Sequence, residues 1–166
     1  MSLLLAAIGA TVAAVLEVTL VRYLAIGTAN PHPVLVIGVI WAIAAGLERG
    51  FVWAFVGGLV LDSLTGRPLG ASAFALLVAV GGARLIAQPL VRLRLLAPIL
   101  AVPVLSLVYS VLLLILTSAS QPAISIPDPI GLFMPGVMYD AVLGILLGPL
   151  FVSLYDRRAT VERVDW

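Results

Sequence analysis

The chain has 166 residues, of which 63% are hydrophobic and only 10% charged, and its net charge is +1. A water-soluble domain carries about a quarter charged residues, and a chain this short has too much surface for its volume to hide so many apolar side chains; the solvent it is built for is lipid. The same figures give no electrostatic footing for a nucleic-acid partner, and the absence of cysteine excludes disulfides, thiolate metal sites and thiol nucleophiles.

In chain order, the opening run MSLLLAAIGATVAAVLEV has no basic flank and is interrupted by Glu17, which reads as a retained first span rather than a cleaved signal peptide. A span needs roughly 20 mostly apolar residues, and the first covers 3–24. The breaker-rich segment AIGTANPHP follows. From Val34 to Asp62 the chain is apolar except at GLERG, residues 46–50. Two tilted helices joined by a tight polar turn fit this region, and so does a re-entrant hairpin. Further apolar runs cover 70–88, 98–117 and 131–155. The expected fold is an all-α, polytopic membrane bundle of about six transmembrane helices, or four plus a re-entrant pair. Residues 1–155 are expected to form the transmembrane domain and 156–166 a short cytoplasmic tail.

Arginine placement sets the expected orientation, because basic residues collect on the cytoplasmic side. With the N-terminus inside, Arg49, Arg84, Arg92, Arg94, Arg157, Arg158 and Arg163 are cytoplasmic, and only Arg22 and Arg67 lie outside. Any even number of spans then leaves both termini in the cytoplasm. The second outer loop contains QPAISIPDP, stiffened by three prolines; it is either a linker along the membrane surface or a docking strip for an outer partner.

The stretch GGLVLDSLTGRPLGASAF, residues 57–74, places a carboxylate and an arginine at a break between apolar runs. Gly66 suits the positive φ that closes a helix, and Pro68 suits the first turn of the next, so a helix is expected to start at Pro68 or Leu69. Its leading N–H groups lack partners. Asp62 is near enough to accept from them, and Arg67 to pair with Asp62. The result is a polar latch holding a helical hairpin at the outer interface. Gly57 and Gly58, one turn before Asp62, allow close approach of another helix. Ala6, Ala10 and Ala14 form a similar small-residue row, open either to internal packing or to a partner's transmembrane helix.

Glu17, Arg84 and Asp140 fall inside spans, where an ionisable residue is a functional candidate by default; the competing reading is mutual satisfaction inside the bundle with some snorkelling. Asp62 and Asp140 also raise an intramembrane aspartyl protease dyad, in which two carboxylates share a proton. Against it, three residues separate Gly58 from Asp62, and Asp140 is expected to lie deeper than Asp62. His32, the only histidine, sits between two prolines and reads as an exposed loop residue with no metal cluster or Ser-His-Asp set around it. No cofactor or metal is expected. Trp53, Tyr23 and Tyr155 read as interfacial anchors, whereas Trp41 is deep enough to pack.

The stretch GGLVLDSLTGRPLGASAFALL resembles the signature of the rod shape-determining MreD family, through Gly58, Leu59, Asp62, Gly66, Pro68, Leu69 and Gly70. The resemblance implies a non-enzymatic subunit of the bacterial cell-elongation machinery in the inner membrane. It implies an MreC-like bitopic partner, with MreB, RodA and a penicillin-binding transpeptidase in the same assembly, and a six-helix fold similar to the S components of energy-coupling-factor transporters. A substrate-binding S-type transport component is therefore the alternative function, ahead of the protease.

Overall fold

A computed structural model describes residues 3–24, 30–89, 96–119 and 129–161, the side chains of 21, 22, 24, 129, 130, 132 and 156–161 excepted. Its elements are six helices: α1 (Leu3–Leu24), α2 (Pro33–Ala45), α3 (Leu47–Thr65), α4 (Ala71–Ala87), α5 (Ala97–Ser118) and α6 (Pro129–Val161). No strand occurs among the described residues. Three stretches, Leu3–Leu20, Ala97–Ser118 and Phe133–Tyr155, are long and apolar enough to cross a membrane. The apolar region 34–62 is two separate helices joined at Gly46, whose φ of 97° makes the reversal possible.

The layout follows from α2. It is the one helix with no charged, hydroxyl or amide side chain (PVLVIGVIWAIAA), and a helix apolar all round belongs in the interior. It packs against all five others, with Val34, Leu35, Val36, Val39 and Ile40 inaccessible or nearly so. At 13 residues it is about 20 Å long, well short of the roughly 30 Å of bilayer hydrocarbon.

Contacts fix how the helices run. Gly50 meets Ala42, Gly38 meets Trp53 and Gly57 meets Val34, so α2 and α3 form an antiparallel hairpin about Gly46. Trp53 Nε1 ties the pair by donating to the Val34 carbonyl at 2.9 Å. Trp53 is thus buried, tilted against Trp41 at 5.0 Å between ring centroids, and is no interfacial anchor. Gly58 lets α3 and α4 touch backbone to backbone, since a Cβ there would fall onto the Ala73 backbone. Gly144 and Gly148 admit Val102 and Pro98 of α5 against α6. Ala6, Ala10 and Ala14 are buried within the bundle, Ala10 against Gly57 of α3. The small-residue row on α1 therefore serves internal packing and is not free for a partner's helix.

Because α2 starts level with Gly57, α3 continues eight residues beyond it to Thr65, or about 12 Å. The start of α2 lies in a recess at the end of the bundle that carries Arg67. Polar side chains elsewhere are mostly spent locally: the hydroxyls of Thr11, Thr19, Ser63, Thr65, Ser110 and Thr117 donate to carbonyls of their own helix, as a lipid setting requires. At the opposite end Arg49 Nη1 donates to the Tyr155 hydroxyl at 2.9 Å, tying the start of α3 to α6. The helix α6 runs through Tyr155 to Val161 without a break at the expected start of the tail.

Candidate functional site

The break in residues 57–74 resolves into a capped turn. Gly66 adopts φ 68° and ends α3, with the N–H groups of Gly66 and Arg67 both donating to the Asp62 carbonyl. Pro68 does not begin α4; the chain makes a further turn and enters the helix at Ala71 through Gly70, whose φ is 95°. The expected start at Pro68 or Leu69 fails because a second positive-φ residue was needed to aim the new helix back along α3. Asp62, with no accessible surface, accepts from the Gly70 N–H at 2.8 Å and from the Ser72 N–H at 3.0 Å. The latch is there, but Arg67 is not its counter-ion: among the described residues no Arg67–Asp62 ion pair lies within 4.0 Å, and Arg67 Nη1 instead makes a long 3.4 Å contact with the Ser72 hydroxyl. Leu59 is half-buried, and Leu69 projects outward with 76% of its surface exposed.

The recess over α2 repeats this chemistry twice. A helix that starts inside a bundle carries its unpaired N–H groups with it, and leaving them unpaired there is costly. Glu17 of α1, almost fully buried, accepts from the Val34 N–H at 2.9 Å. Asp140 of α6, with no accessible surface, accepts from the His32 N–H at 2.8 Å. The same carboxylate holds His32 Nδ1 at 3.0 Å and accepts from the Ser106 hydroxyl at 2.6 Å. Three buried acids on three helices thus each serve a helix start, and among the described residues no buried side-chain nitrogen or oxygen lacks a partner.

His32 is the residue that sequence reasoning missed. Rather than an exposed loop residue, it is the N-cap of α2, with its side chain 25% exposed and its ring edge-on to Tyr109 at 5.5 Å. Tyr109 is buried and hydrogen-bonded to Ser72, which links the recess to the latch. A usable signal was present: a uniformly apolar 13-residue helix too short to span must begin indoors, and its start must find acceptors. Burial alone would lower the pKa of His32, but the hydrogen bond and charge of Asp140, with the charge of Glu17, outweigh it and raise the group above its usual 6.5.

The arrangement limits what chemistry is available. Ser106, Asp140 and His32 are adjacent, but the carboxylate stands between serine and imidazole, whereas nucleophile activation needs the imidazole in the middle. Asp62 and Asp140 each have their own donors and share none, so they do not form a proton-sharing dyad. Arg84, on an exposed last turn of α4, is not ion-paired to Asp140. No group of three or more metal-ligating side chains occurs among the described residues. Arg92, Arg94, Arg163 and residues 121–128 of the proline-rich loop lie outside the described residues, as do the side chains of Arg22, Arg157 and Arg158.

Above the start of α2 the recess holds two adjoining cavities, of about 320 and 450 Å³, which share Asn30, His32 and Arg67. Asp62 lines neither. What fold and site define together is an all-helical membrane protein whose buried acids hold helix ends in place.

The chain belongs to the MreD family: the family model for rod shape-determining protein MreD matches residues 1–158. This is a family of shape-determining proteins, not of known enzymes. No curated protein matches the chain, and neither does any solved structure.

Proposed function

We propose that this chain is a non-enzymatic scaffold subunit of the bacterial cell-elongation machinery, binding an MreC-like bitopic protein and helping to place peptidoglycan synthesis. The observation that carries this reading is that Asp62, Glu17 and Asp140 each accept from a backbone N–H at a helix start, Asp62 and Asp140 with both oxygens engaged and Glu17 through one. Acids engaged in this way stabilise a shape, and Glu17, which also lines the larger cavity, is the one with an oxygen open to the recess. RodA, a penicillin-binding transpeptidase and MreB are the further members of the assembly in this reading.

The protein sits in the inner membrane with both termini cytoplasmic, which the seven-to-two division of the nine arginines supports. The recess and Arg67 then face outward, and residues 156–166 form a short cytoplasmic tail in which Arg157, Arg158 and Arg163, balanced by three acids, meet anionic headgroups. The motif residues Gly58, Asp62, Gly66, Pro68 and Gly70 keep α3 and α4 in one geometry, so that the partner meets a preformed surface.

Copurification tests this directly. Tagged chain extracted in mild detergent is expected to bring down a single-span protein with a large outer domain, together with cell-wall synthases. Recovery of the tagged chain alone, under conditions that preserve other membrane complexes, contradicts it. The two cavities favour one second reading, an S-type component holding a small solute in the recess; that reading requires a solute retained through purification and an ATPase pair as partner.

A further inference from the structure

The two cavities of the recess differ in charge. Glu17 lines the larger, whereas the smaller has no carboxylate in its lining. The lining of the smaller cavity combines Arg67, His32 and Asn30 with residues of α5 and α6, the hydroxyl-bearing Tyr109, Ser110 and Thr117 and the apolar Leu113, Leu114 and Phe133 among them. Among the described residues no carboxylate lies within 4.0 Å of Arg67, and its side-chain hydrogen bond is the long one to Ser72. A guanidinium carries five N–H donors in a fixed fork, so among the described residues most of this donor set has no carboxylate in hydrogen-bonding reach, Glu17 lying in the adjoining cavity. Asp140 grips His32 at both its backbone N–H and its Nδ1, which fixes the ring and leaves Nε2 as the nitrogen available to the recess.

We propose that the cavity bounded by Arg67, His32 and Asn30 binds a phosphate group, Arg67 being the principal contact. Guanidinium and phosphate match in geometry and form charge-assisted, bidentate hydrogen bonds. The apolar side chains in the lining, Leu113, Leu114 and Phe133, suit a phosphate carried on an acyl-chain lipid, while free phosphate offers the same chemistry to Arg67, His32 and Asn30. This site is independent of the scaffold reading, since it needs neither a partner protein nor an assembled complex.

The test uses the full-length chain purified in a phosphate-free maltoside detergent, with thermal unfolding followed against added inorganic phosphate or dihexanoyl phosphatidylglycerol. A saturable rise in the unfolding midpoint is expected. Arg67→Gln should raise the half-saturating concentration at least about tenfold, the loss of one strong charge-assisted contact, and Arg84→Gln, remote from the recess, should leave it unchanged. A response to phosphatidylglycerol alone identifies a lipid headgroup; a response to inorganic phosphate as well identifies free phosphate as sufficient. Should Arg67→Gln fold poorly, Asn30→Asp places an acid at the exposed mouth and should weaken binding as strongly. No midpoint shift with either probe overturns the proposal, and so does a shift that survives both Arg67→Gln and Asn30→Asp.

Discussion

Asp62 shows how much one side chain decides in this molecule. Its two oxygens answer the Gly70 and Ser72 N–H groups that α4 leaves open. Asp62→Asn turns one acceptor into a donor facing a donor, and the expected loss is roughly 1–3 kcal/mol. It should be read as a lower unfolding midpoint in detergent with membrane insertion unchanged; an unaltered midpoint would refute the capping role. His32 makes a pH-dependent contribution. Its native pKa is raised, so the protonated ring is favoured in the fold. The added stability is complete below the ordinary imidazole value and disappears as pH rises through the higher native value. The midpoint difference between wild type and His32→Gln should therefore be largest at acid pH and shrink on alkalisation; a difference flat with pH contradicts the assignment.

Between elements, the governing contact is the crossing of α3 over α4. Gly58 has no room for a side chain because the Ala73 backbone occupies the space, and Gly58→Leu should destabilise by at least about 3 kcal/mol through forced separation of the helices. Expression with normal yield and an unshifted midpoint would show that the crossing is looser than described. Gly66 and Gly70 both hold positive φ, and alanine at either should cost about 1 kcal/mol, the two effects adding up in the double variant. Much of this was legible beforehand: the run 57–74 announced a capped turn because its breakers and its acid follow local rules. The exact entry into α4 was not, since two left-handed residues in one connection cannot be told from one without knowing where the next helix must point. Nor was the partner of Asp140 legible. His32 lies 108 positions away, and nothing in local sequence announces a contact made by folding a short central helix against the last one. Mutual satisfaction of Glu17, Arg84 and Asp140 was the reading set against a functional role; among the described residues the two acids are held instead by backbone N–H groups, an imidazole and a serine hydroxyl, and Arg84 pairs with neither.

For the whole molecule, the physical problem is a central helix shorter than the bilayer. Five helices surround α2, and sinking its start about 12 Å below the end of α3 (eight residues at 1.5 Å) creates both the need for buried acids and the recess above them. Rod-shape function, in this account, depends on the rigidity those acids confer and not on their reactivity. The most direct test measures two quantities on the same set of variants, Glu17→Gln, Asp62→Asn and Asp140→Asn: the unfolding midpoint of the purified protein, and rescue of rod morphology in cells depleted of their own copy. Loss of rod shape is predicted to follow loss of stability across the set, with a second-site stabilising change restoring both. A variant that keeps the wild-type midpoint and membrane level yet leaves the cells round would show that the carboxylate itself acts, and would contradict the account.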